Sequence, residues 1–228
     1  MYGRLVYIIL VILLLSGCTK PHQVIQQVTA KEHEHAGDEN IKLIAELPVK
    51  IDSSDYLVFP VTALNSGKRT SKVSYTITKY YENYYENFIF QNTKNGETHF
   101  ITEKPVKIIS YQQLKNENNN PDKVLIYEVI DNLRPNDPER PEITSLYLSS
   151  IDGKTFTRVS KEKHDVRNWV YIPQLKKVFF NTVVDKNNDN QFDEKDEYST
   201  YQVSIETFKP IKILEDEMVI LNQRITNY

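Results

Sequence analysis

Cysteine occurs once among the 228 residues, glycine 6 times, methionine twice and tryptophan once. A single thiol excludes an intrachain disulfide framework and the cysteine spacing of a structural zinc site, so cohesion rests on packing and on any metal that oxygen side chains hold. The few glycines are scattered, and none falls in a phosphate-cradling loop; no nucleophile motif is present either. Charge of one sign is lacking too, because 28 basic residues against 31 acidic ones leave a net charge of -3. This mildly acidic balance excludes a general nucleic-acid binder. Only one long apolar run exists, Leu5 to Leu15, and it is shorter than the roughly 20 residues a single membrane span needs.

That run follows Arg4 and precedes the small residues Ser16 and Gly17, with Cys18 next. A charged start, an apolar stretch and small residues before the cleavage point are the parts of an export signal. The string Leu15-Ser16-Gly17-Cys18 resembles the lipobox of bacterial lipoproteins. The resemblance implies that residues 1–17 are removed as a signal peptide and that Cys18 is acylated as the new N-terminus, anchoring the chain to a membrane of the cell envelope. Thr19 is not the Asp associated with inner-membrane retention, which implies the outer membrane, on its periplasmic or surface face, in a Gram-negative cell. Residues 18–40 are polar and without apolar period, including the stretch from Lys31 to Glu39 with His33 and His35, and they read as a flexible tether. The two histidines are potential metal ligands, but in such a tether they read as solvated.

From residue 41 to 228 a single domain is expected. Tyr at 15 and Phe at 9 suit a pleated sheet. Short apolar runs recur between turn signals, giving expected strands at 41–45, 56–61, 72–78, 87–91, 98–101, 106–110, 124–130, 145–150, 156–159, 169–172, 177–184, 200–205, 211–214 and 218–222. Asn95-Gly96 and Asp152-Gly153 mark tight turns. The doubled Tyr-Tyr-Glu-Asn at 80–83 and 84–87 and the group His164, Asp165 and Trp169 are read as structural, since no nucleophile accompanies them. Laying residues 124–156 on 178–210 without gaps matches Val124 with Val178, Asp131 with Asp185, Tyr147 with Tyr201 and Ser150 with Ser204. A repeat near 50 residues carrying several strands fits a propeller blade. The expected fold is therefore all-β, a propeller-like stack of short antiparallel hairpins, with a β-sandwich as the alternative.

The clearest chemical motif runs from Asp185 to Asp196. Counting Asp185 as the first position places oxygen donors at Asp185, Asn187, Asp189, Asp193 and Asp196, with the Gln191 carbonyl between. Calcium takes about six to eight hard oxygen ligands, and this spacing can wrap them around one point. The loop resembles the EF-hand family, above all its dockerin-type variant, although Asn190 stands where that family has Gly and Asp196 replaces the usual longer Glu. Val178 to Val184 before the loop reads as a continuous apolar run, and Tyr201, Val203 and Ile205 after it alternate with Gln202 and Ser204 at period two, so calcium here is expected to clamp two strands and not to move helices. The equivalent loop from Asp131 loses the ligand spacing at Leu133, Pro135 and Pro138.

These features point to a lipid-anchored cell-envelope module, a non-enzymatic binding or scaffold protein with a structural calcium site and an envelope protein or glycan as partner. The alternative is an envelope hydrolase built on paired carboxylates, also with a structural calcium, which would require two carboxylates about 5 to 10 Å apart in a cleft. Intact-mass spectrometry of the protein from its native host is expected to find Cys18 as an acylated N-terminus, and Cys18→Ser is expected to free the domain from membranes or to block processing. An unmodified chain beginning at Met1 would contradict both expectations.

Overall fold

Among the described residues short runs of β-forming side chains become strands, and most of these pair antiparallel with the next strand in the chain. The computed structural model describes residues 42–64, 84–133, 141–193 and 195–226. The leader, Cys18, the tether histidines, Tyr80 and Tyr81, and the expected strand at 72–78 lie outside them. The described strands form three sheets. The first holds β1 (Leu43–Ala45), β2 (Val49–Lys50), β3 (Tyr56–Ala63), β4 (Asn87–Asn92) and β5 (Thr98–Phe100), with β2 pairing β3 beside the path β1-β3-β4-β5. The middle sheet holds β6 (Lys107–Lys115), β7 (Pro121–Ile130), β8 (Thr144–Ser150) and β9 (Thr157–Arg158). The last holds β10 (His164–Ile172), β11 (Lys177–Val184), β12 (Glu197–Ser204) and β13 (Pro210–Ile213). In the middle and last sheets the spatial order is the chain order, and neither closes on itself.

Two cores lie between the three sheets, and β7 feeds both. Its residues Val124 and Ile126 join Leu146 and Leu148 of β8 against Val178, Phe180 and Val203 of the last sheet. The intervening Leu125, Tyr127 and Val129 join Val58, Phe88 and Phe90 of the first sheet. Successive side chains of a strand point to opposite faces, so a strand covered on both sides must be apolar at every position, as Val124 to Ile130 nearly is. The fold is all-β, with the sheets stacked face to face in chain order. Each adjacent pair is packed as in a sandwich.

Polar contacts close the seams around these cores. Between the first and middle sheets, His99 Nε2 lies 2.8 Å from the Asp152 carbonyl, and Gln113 both accepts from the Asp52 N–H at 3.1 Å and donates to its carbonyl at 3.1 Å. Between the middle and last sheets, the Tyr171 hydroxyl donates to Asp122 at 2.7 Å and the Trp169 indole N–H to Glu128 at 3.0 Å. His164 sits inside the last sheet with Nδ1 3.0 Å from Thr182 Oγ1. Burial holds its pKa below the ordinary histidine value. Tyr85 packs its ring 5.2 Å from Phe88 and 6.1 Å from that of Tyr111, which gives the second half of the tyrosine duplication a core role.

Two sequence expectations need correction. The segment expected as a strand at 218–222 belongs to helix α1 (Glu215–Thr226). Leu214 turns the chain with φ 63, Met218 N–H donates to the Leu214 carbonyl at 3.1 Å, and Glu215 and Glu217 place negative charge where a helix N-terminus favours it. The second correction concerns Tyr147 and Tyr201. Both hairpins are antiparallel, but Val124 pairs with Ser150 whereas Val178 pairs with Val203. The gapless offset of 54 therefore slips by one residue in the second strand, and a slip of one reverses the face. Tyr147 stacks on Phe156 at 4.4 Å, while Tyr201 stacks on Phe180 at 5.4 Å in the other core. Leu148 is thus the positional counterpart of Tyr201.

Gly96 and Gly153 both take positive φ, 77° and 75°, but their surroundings differ. A Cβ at Gly96 meets nothing within 4 Å, whereas one at Gly153 comes 2.7 Å from the Phe90 ring. Gly96→Ala is expected to cost about 1 kcal/mol of backbone strain, and Gly153→Ala a further ~1–3 kcal/mol because buried Phe90 must move. Urea denaturation of the two variants checks the difference; equal midpoints would refute the tight seam at Phe90.

Candidate metal centre

Strands β11 and β12 pair without a bulge from Lys177 with Ser204 to Val184 with Glu197, so residues 185–196 close this hairpin as its end loop. The loop is held by short-range bonds from backbone N–H groups to its own side chains. Asp185 Oδ2 accepts from Asn190 N–H at 3.0 Å, Asn187 Oδ1 from Asp189 N–H at 3.0 Å, and Asp189 Oδ1 from Gln191 N–H at 2.9 Å. Asp196 accepts twice, from Lys186 N–H at 3.0 Å and from Asp193 N–H at 2.9 Å. Asn188 and Asn190 both adopt left-handed backbone, φ 60 and 62. Asn tolerates that geometry best after Gly, and Asn190 occupies the position where EF-hand loops carry Gly.

One loop thus brings together the residues expected to bind calcium, though not around a single point. Among the described residues no group of three or more His, Cys, Asp or Glu is placed to hold a metal. Among the described residues, Asp185 Oδ1 is buried without a hydrogen-bond partner, as are Ser199 Oγ and Arg158 Nε. A buried carboxylate oxygen without a donor is costly unless a cation meets it. Hard oxygen donors and this orphaned atom fit the chemistry of calcium.

The corresponding position in the middle sheet shows how such an aspartate is otherwise satisfied. Asp131 accepts from Ser145 Oγ at 2.9 Å and from the Tyr147 hydroxyl at 2.6 Å, and Arg158 Nη1 lies 3.3 Å away. Burial, then the hydrogen bond to Asp131, push the Tyr147 phenol well above its ordinary pKa, so it stays a donor. Here a guanidinium meets the aspartate, whereas the lysines of the Asp185 loop pair elsewhere, Lys195 with Asp193 at 3.6 Å and Lys186 with Glu197 at 3.8 Å. No local sequence pattern links Arg158 to Asp131, since their pairing depends on β9 lying beside β8.

On the other side of the Asp185 loop, Arg167 lies over Phe192 with its guanidinium carbon 5.2 Å from the ring centre and Nη2 3.4 Å from the Phe192 carbonyl. Its Nη1 is 3.1 Å from Asp165, whose side chain is only 1% exposed. Asp165 Oδ1 in turn accepts from the Thr144 N–H at 2.9 Å. His164, Asp165 and Trp169 therefore have structural partners, and Arg167 was not signalled by any motif.

A groove of about 640 Å³ opens between the opposite ends of the same hairpins, lined in part by Lys123, Ser150, Thr157, Glu206, Phe208 and Lys209. Among the described residues that line it Glu206 is the one carboxylate, and it pairs with Lys176 at 3.0 Å. No helix among the described residues is long and apolar enough to cross a membrane. No protein-family model and no curated protein matches the chain.

In chelator, Asp131→Asn is expected to destabilise the fold by about 1–3 kcal/mol, because Arg158 and Tyr147 lose their charged acceptor. Asp185→Asn under the same conditions is expected to change stability by no more than about 0.5 kcal/mol or to raise it, since its orphaned oxygen and like-charged neighbours are relieved. Paired urea titrations check the contrast; equal losses would show that the two aspartates are satisfied alike.

Proposed function

We propose that this protein is a lipid-anchored module of the cell envelope, non-enzymatic, binding or scaffolding an envelope protein or glycan, with calcium as a structural ion in the loop from Asp185 to Asp196. The observation that carries the calcium reading is Asp185 Oδ1, buried and without a partner among the described residues, set beside Asp131, whose carboxylate is met by Arg158. Calcium would draw Asp185, Asn187, Asp189, Asp193, Asp196 and the Gln191 carbonyl onto one centre and fix the end of the β11–β12 hairpin. The ion would act on stability, since strands and not helices flank the loop. The anchoring reading rests on the Leu15 to Cys18 string alone, outside the described residues. For the binding role, the groove offers hydroxyls, the Phe208 ring and the ammonium groups of Lys123 and Lys209. Such a surface suits a polar partner carrying negative charge.

Calcium binding to the native state alone adds roughly 2.7 kcal/mol when the ion is a hundredfold above Kd, and extracellular-type sites work at about 0.1 to 1 mM. Melting is expected to rise with millimolar calcium and to fall back with chelator, and Asp185→Ala with Asp189→Ala is expected to abolish the rise. An equal rise in the double variant, or no heat of binding in the native chain, would refute the site. Crosslinking of the anchored protein in its host, followed by identification of its neighbours, tests the scaffold role. Recovery of no reproducible envelope partner would count against it.

A further inference from the structure

The contacts of Arg167 lead from the Asp185 loop to the seam between the middle and last sheets. The loop contributes Phe192, which presents its ring and its carbonyl to the guanidinium. The guanidinium pairs with Asp165 on β10, and Asp165 holds the backbone N–H of Thr144, the first residue of β8. Every link is polar or cation–π, and the middle one joins a partly exposed arginine to a carboxylate that is almost fully buried. A buried carboxylate depends on its partner far more than an exposed one, because water cannot replace what is lost. We propose that Arg167 is a positioning residue that couples cation binding in the Asp185 loop to the joint between the two sheets. This rests on the calcium reading and extends it: the ion orders Phe192, Phe192 fixes the guanidinium plane, and the guanidinium fixes Asp165 against Thr144. Calcium then tightens the stack beyond the hairpin that carries it.

The Thr144 amide proton reports the last link directly. Its exchange is measured in the full-length chain in detergent, with calcium chloride or with chelator, relative to the Phe90 amide in the other core, which follows opening of the whole fold. In the native chain calcium is expected to slow Thr144 exchange about tenfold more than Phe90 exchange. Arg167→Ala is expected to keep calcium binding, with Kd weaker by about fivefold for one lost cation–π contact and one hydrogen bond, and to leave Thr144 exchange indifferent to calcium. Phe192→Ala, at a partly exposed position that should not compromise folding, is expected to weaken the coupling in the same direction. Arg167→Lys keeps the charge beside Asp165 without the planar face, so it is expected to restore stability but not coupling. Calcium binding by the native chain with no selective effect at Thr144, or an unchanged effect in Arg167→Ala, would overturn the relay alone. No calorimetric heat with calcium in the native chain would overturn the calcium reading and the relay together.

Discussion

Strand β7 must serve two cores at once, and the arrangement of the other strands follows from that constraint. Its alternate residues Val124 and Ile126 are committed to the last sheet, and Leu125, Tyr127 and Val129 to the first. Full burial of one such side chain is worth roughly 1.5–3 kcal/mol, so a charged residue at any of these positions would open one of the two seams. Tyr127 shows what the constraint demands of polar atoms. Its hydroxyl, inside the first core, lies 2.8 Å from Ser149 Oγ, and burial pushes its pKa far above the ordinary value.

Charge is kept out of the cores and placed along their margins. Glu128 is the one acidic interruption between Val124 and Ile130, and it is half-buried, accepting from Trp169 at 3.0 Å and from Ser110 at 2.9 Å. Asp122 and Asp165 take equivalent places on the same seam, the first bonded to Tyr171 and the second to Arg167 and Thr144. Hydrogen bonds to a charged group are stronger and more directional than apolar contact, so such ties fix how one sheet sits on the next where side-chain packing alone would allow sliding.

Sequence pattern located most of these strands because period two is local. The run from Lys177 to Val184 was legible end to end, and the turn at Gly153 was marked by its own dipeptide. Stacking order was legible only as a repeat, and the one-residue slip at Tyr147 and Tyr201 was hidden because both positions carry the same residue type. The start of β10 at His164 was missed since its residues are polar and their cover, Thr182 and Thr144, comes from distant strands. Helix α1 was misread because Met218 to Leu221 is short and apolar, and such runs do not distinguish helix from strand. The Asp185 loop was legible as spacing, but the contrast between its orphaned oxygen and the Arg158-bound Asp131 depends on contacts between strands. Arg158 and Arg167 carry no motif, and their importance lies wholly in which carboxylates the fold brings to them.

The doubly covered strand also governs how the chain reaches its native state. Each of the last two sheets is assembled from consecutive strands, so its pairings are local and quick to form. The middle sheet, once formed, still shows an apolar surface on either side until both neighbours dock. Val124 to Ile130 is therefore prone to self-association while folding is incomplete. Asp122 and Lys123 precede it and Asp131 follows it, charges in the flanking positions where gatekeeper residues discourage strand-to-strand aggregation. The aspartate that the native fold ties to Arg158 thus also stands where a charge discourages nascent copies of the same strand from pairing.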